Sequence, residues 1–145
     1  MRRTTPLPLI AALALLVGSA EVAGAAGADM IAGNGTRASV EFAFRVVLTP
    51  SGNATGRFDS TLMSNIGLPF QGTVDCGRVS GNIGVLGGLI DGGNPDSINS
   101  RFTVMVSDGP DGIIVGNGQP NCGTEGYGAP QGLPISSGDI AVVDR

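Results

Sequence analysis

The run Ala38 to Thr49, ASVEFAFRVVLT, constrains the fold more than any other part of this chain. Ala38, Val40, Phe42, Phe44, Val46 and Leu48 alternate with Ser39, Glu41, Ala43, Arg45 and Thr49, and Val47 is the single apolar residue on the second face. Successive side chains of an extended strand point to opposite sides of a sheet, so an alternation of this length predicts a strand with one buried face. A helix needs apolar residues three or four apart, and no window beyond the N-terminal segment shows that spacing.

The rest of the chain reads the same way. Pro50-Ser51-Gly52-Asn53 is a turn sequence, because Gly and Asn tolerate positive φ, and ATGRFDSTLM (54–63) is the next expected strand. FQGTVDCGRV (70–79) and NIGVLGGLID (82–91) form an expected hairpin around Ser80-Gly81-Asn82. Gly84, Gly87 and Gly88 crowd into its second strand. Glycine is costly inside a strand and is commonest where a sheet bends or bulges, so a sharply coiled sheet is expected here. SRFTVMVSD (100–108), IIVGN (113–117) and GDIAVVD (138–144) complete about seven strands. The last is expected to pair with an early strand and remove a free edge. Short strands separated by Gly, Pro, Asn and Asp turns predict an all-β domain, a small antiparallel barrel with a β-sandwich as the alternative.

The first 28 residues differ in kind. Arg2 and Arg3 precede an apolar run from Leu7 to Val17, and Ala26-Gly27-Ala28 has the small-x-small pattern of a signal-peptidase site. Ala23-Gly24-Ala25 is a second such pattern. The apolar run falls short of the roughly 20 residues a bilayer requires. Residues 1–28 are therefore expected to be a signal peptide that is removed, and 29–145 a single secreted domain with no transmembrane segment.

Charge narrows the possible partners. The chain has eight basic residues, all arginine, against twelve acidic ones, for a net charge of −4. No cluster of positive charge exists to meet nucleic acid or an anionic membrane. Histidine is absent, which removes the usual general base of a serine or cysteine hydrolase and the commonest zinc ligand. In an exported chain the two cysteines, Cys76 and Cys122, are expected to form one disulfide. Closing a loop of about 47 residues disfavours the unfolded chain by roughly 4 kcal/mol in the chain-entropy account. The bridge is also expected to pin the patternless stretch Gly116 to Ser137, which is long for a loop in a compact domain.

The stretch Cys76-Gly77-Arg78-Val79-Ser80-Gly81-Asn82, followed by the apolar strand ending in Gly87-Gly88, resembles a motif in a loose family of small secreted bacterial all-β, barrel-like proteins. Pro110-Asp111-Gly112-Ile113 and the terminal Gly138-Asp139-Ile140-Ala141-Val142 are similar to later parts of the same pattern. Gly77 stands where an apolar residue is usual in that family, and Gly84 where alanine is usual. The resemblance implies fold and compartment. The family has no assigned activity, so no catalytic residue is implied.

Few residues offer chemistry. Asp91, Asp96, Asp108 and Asp111 are expected in two Gly-rich loops, the first from Asp91 to Asn99, and are candidate ligands for weakly held extracellular Ca²⁺, although the spacing is not that of an EF-hand and Asp-Gly and Pro-Asp are ordinary turn pairs. A carboxylate pair serving a glycosidase would want a sugar platform, and the chain has only Tyr127, five phenylalanines and no tryptophan. Gly33-Asn34-Gly35-Thr36-Arg37-Ala38 matches the letters of a dinucleotide fingerprint but precedes a strand instead of a helix. Asn34-Gly35-Thr36 and Asn53-Ala54-Thr55 spell glycosylation sequons and read more simply as turn sequences. The expected role is a non-enzymatic extracellular binding module without a cofactor, whose partner is a protein or a surface polymer. The alternative is a carrier of a small apolar ligand in the barrel interior, and a weak carboxylate-based hydrolase ranks third.

Overall fold

The computed structural model describes residues 28–51, 53–61, 69–118, 120–123 and 133–145. The expected signal segment (all but Ala28), Tyr127 and much of the stretch 116–137 lie outside the described residues. Eight strands form one antiparallel sheet: β1 (Asp29–Arg37), β2 (Val40–Leu48), β3 (Asn53–Ser60), β4 (Phe70–Ser80), β5 (Ile83–Gly93), β6 (Arg101–Ser107), β7 (Gly112–Asn117) and β8 (Ser137–Val143). Their order is β7-β6-β5-β4-β3-β2-β1-β8, so the last strand returns to pair with the first. The sheet curls into a nearly closed barrel. Two 3₁₀ turns, Pro95–Ser97 and Pro120–Cys122, are the described helical elements.

β2 buries Phe42, Phe44, Val46 and Leu48 and turns Glu41, Ala43 and Arg45 to solvent, as its alternation requires. It starts at Val40 and not at Ala38. Ala38 and Ser39 instead form a two-residue turn with φ of 48° and 70°, across which Arg37 pairs with Val40. Both central residues at positive φ match the right-handed twist of the flanking strands, so the hairpin geometry overrides the continued alternation.

The strand on the other side of that turn, β1, was not expected from the sequence. Its inner positions are Ile31, Gly33 and Gly35, so the apolar pattern that marks a strand is largely missing. The reason is volume. A Cβ on Gly33 would lie 2.7 Å from the ring of Phe44, and one on Gly35 3.2 Å from the ring of Phe42. The letters of the dinucleotide fingerprint are thus a strand whose glycines make room for its neighbour's aromatic rings.

All five phenylalanines meet in the interior. Ring centroids run Phe42–Phe44 at 5.9 Å, Phe44–Phe58 at 5.9 Å, Phe58–Phe70 at 5.4 Å and Phe58–Phe102 at 5.7 Å, and Phe70–Phe102 closes the chain at 5.3 Å. Ile31, Val46, Leu86, Ile90, Val104, Val106 and Ile140 pack around them. Such ring pairs add about 0.5–1.5 kcal/mol each beyond the area they bury.

The coiling expected around the hairpin glycines falls at register shifts. Val74 pairs with Gly88 and Cys76 with Gly87, which leaves Asp75 as an extra residue in β4. Gln71 pairs with Gly92 and Gly72 with Ile90, which leaves Asp91 as an extra residue in β5. A third shift lies between Asn53 and Gly56 of β3. Each bulge bends its strand and increases local twist, which is what closing a sheet demands.

Candidate functional site

The expected disulfide is present. Cys76 and Cys122 are bonded with Cα atoms 5.9 Å apart, and no free cysteine is found among the described residues. The bridge lies on the outside of the barrel against β5, where Gly87 pairs with Cys76. A Cβ on Gly87 would stand 2.9 Å from Cys122 Sγ and 3.2 Å from Cys76 Sγ. That glycine therefore gives the two sulfurs their seat. Arg101 frames the same place: its guanidinium grips Asp75 at 2.7 and 3.0 Å and reaches to 3.8 Å from Cys76 Sγ.

The four candidate calcium ligands are not brought together. Asp91 is not in a loop, because β5 runs on to Gly93. Its carboxylate takes a bidentate contact from Arg57 at 3.0 and 3.2 Å and accepts the Thr73 hydroxyl. The Arg57 guanidinium, and after it that hydroxyl, hold the Asp91 carboxyl below its ordinary value. Asp96 sits in the 3₁₀ turn capped by Asn94. Asp108 and Asp111 share the β6–β7 turn, but their oxygens face backbone donors: Asp108 Oδ2 accepts Val142 N at 3.0 Å, and Asp111 accepts Ile140 N at 3.0 Å and Gly109 N at 3.2 Å. Among the described residues, no group of three or more Cys, Asp or Glu is placed to hold a metal ion.

The surface with the most unassigned polar chemistry is the outer face of β8, β1, β2 and β3, continued by β4. Register sets its side chains in rows. One row runs Ala141, Ala32, Arg45, Arg57, Thr73. The next runs Asp139, Asn34, Ala43, Asp59, Gln71, and Ser137, Thr36, Glu41 follow beyond it. The small Ala43 leaves open hollows on both sides. One of about 280 Å³ is lined by Glu41, Ala43, Asp59, Thr61 and Gln71. The other, of about 300 Å³, is lined by Asn34, Ala43, Arg45, Arg57 and Asp59. Among the described residues, Glu41, Arg45 and Asp59 form no ion pair.

Period-two reading placed Glu41, Ala43 and Arg45 on one face of their strand. It could not find Arg57, Asp59 or Asn34, because only the register between strands sets them beside that trio. Comparison with known proteins gives no matching family model, no matching curated protein and no matching solved structure.

Proposed function

We propose that the chain is an exported, non-enzymatic interaction module that works through its outer sheet face on an extracellular protein or surface polymer. The observation that carries this reading is the interior filled by five mutually packed phenylalanine rings. A barrel of eight strands is just wide enough for its own side chains or one small ligand, and here aromatic rings take that space. The outer face, by contrast, offers open hollows rimmed by carboxylates, guanidiniums and amides.

The carboxylates with defined partners serve the fold. Asp75 and Asp91 bind arginines, and Asp108 and Asp111 bind backbone N–H groups of β8. A net charge of −4 also disfavours a polyanionic partner. Export through the N-terminal segment agrees with the disulfide, since such bonds persist in oxidising compartments.

Native mass spectrometry on unreduced protein from its own host's culture medium tests the reading. The expected result is a mature chain two hydrogens short of the dithiol mass, with no small apolar species bound. A stoichiometric apolar ligand released only on denaturation would overturn it in favour of a carrier.

A further inference from the structure

The outer face segregates its charges in a way the fold does not require. Arg45 and Arg57 stand directly opposite each other across β2 and β3, a like-charge pairing that costs a sheet some tenths of a kcal/mol. One row further on, Asp139, Asn34, Ala43 and Asp59 hold two acids and no base, and Glu41 adds a third acid beyond. Folding alone would favour interleaving the signs. Among the described residues, Arg57 is the one charge of this face with an ion-pair partner in the chain, Asp91, and Asp59 two residues along adds a weaker attraction.

A positive row beside a negative row is self-complementary. Consider a two-fold axis lying in the face, perpendicular to the strands and midway between the rows. It sets Arg57 of one copy over Asp59 of the other, with Arg45 within side-chain reach of that same Asp59, and repeats both contacts by symmetry. Ala43, and Ala32 on the neighbouring strand, lie close to this axis and let the two faces approach. An axis along the strands would instead set arginine over arginine.

We infer that this face docks a second copy of the same chain as an isologous dimer held by Arg45 and Arg57 against Asp59. The inference rests on the reading that the outer face is the working surface. On the convex outside of the eight-stranded barrel the two copies meet over little more than β2 and β3, roughly 10 by 23 Å at a strand spacing of about 4.8 Å, well below a standard interface. The dimer is accordingly weak, concentration-dependent and loosened by salt.

Sedimentation of the purified, disulfide-intact chain from about 10 µM to about 1 mM at low salt, the range of weak interfaces, tests this. A monomer–dimer equilibrium is expected, weakened at least about tenfold by R45E and by D59R alone. The two variant chains mixed one to one are expected to associate more strongly than either alone, because the acid introduced at position 45 of one meets the base introduced at position 59 of the other while the contacts to the unchanged Asp59 on the opposite side are kept. Both substitutions lie on the solvent side of the sheet, and unchanged thermal unfolding of each verifies the fold. A monomer at every concentration overturns the inference while leaving the interaction-module reading intact. So does a dimer indifferent to both reversals, or a mixture that associates no more strongly than either variant alone. Loss of the module reading, by contrast, is read from a bound apolar ligand in the mass spectrum.

Discussion

Phe58 occupies the point where the interior rings converge: it is fully buried and packs on Phe44, Phe70 and Phe102. Truncation to alanine removes three ring contacts and leaves a cavity that antiparallel strands cannot collapse to fill. Phe58→Ala is expected to cost about 3–5 kcal/mol, measured by urea unfolding. A loss under about 1 kcal/mol would mean the ring cluster is not the core. Asp91 acts at the opposite extreme of exposure. Its carboxyl is held below the ordinary value by Arg57 and Thr73, so the folded state binds that proton less readily than the unfolded chain. The resulting stabilisation is present at neutral pH and is lost as pH falls through the depressed folded value. Both partners are substantially solvated, at 51% and 40% side-chain exposure, so the effect is below about 1 kcal/mol and shrinks with salt. Asp91→Asn is expected to flatten the acid limb of the stability profile. An identical limb in the variant would remove this pair from the account.

At the scale of elements, the seam of the barrel is the informative place. β7 and β8 do not share a backbone ladder; the sheet order ends with one at each edge. Residues 133–136 bridge part of the gap, with Ile113 N to Leu133 O at 3.2 Å and Ser136 N to Thr36 O at 2.7 Å. On β8 the seam-facing N–H groups of Ile140 and Val142 find carboxylates of the β6–β7 turn where a neighbouring strand would have supplied carbonyls. Ile140 is buried, so its amide has no ready water to replace Asp111. Asp111→Ala is therefore expected to cost about 1–3 kcal/mol and to speed hydrogen exchange at the Ile140 amide selectively. Unchanged exchange there would show that the carboxylate is dispensable. The same aspartates read from sequence as turn residues or cation ligands, because a carboxylate's acceptor role depends on which strand edge lies across from it.

For the whole molecule, the question is how much the disulfide adds to a domain that already has a core. Neither cysteine belongs to the interior cluster, and the bridge lies outside the barrel. Replacing both cysteines by alanine is expected to lower unfolding free energy by roughly 4 kcal/mol, the loop-closure value for a separation of 46 residues. The far-UV signature of the sheet should survive at low denaturant, since the ladders and the phenylalanine cluster remain. A variant as stable as the parent would overturn the staple role. A variant with no sheet signal in water would mean that the barrel cannot close without its bridge.

Alternation along β2, the turn residues and the two cysteines were enough to state an all-β, disulfide-linked, barrel-like domain, because strand periodicity and cysteine pairing are local or countable properties. What the sequence left hidden depended on volume and register. β1 carries glycines where a strand usually shows apolar residues, and only the rings of Phe42 and Phe44 lying over them explain why. The two bulge aspartates meet Arg57 and Arg101 because register shifts turn them outward at particular places. The charged rows of the outer face exist only once five strands lie side by side. Which side chains are buried was written in the order of residues along each strand. Which exposed ones stand together was decided by pairing between strands distant in the chain.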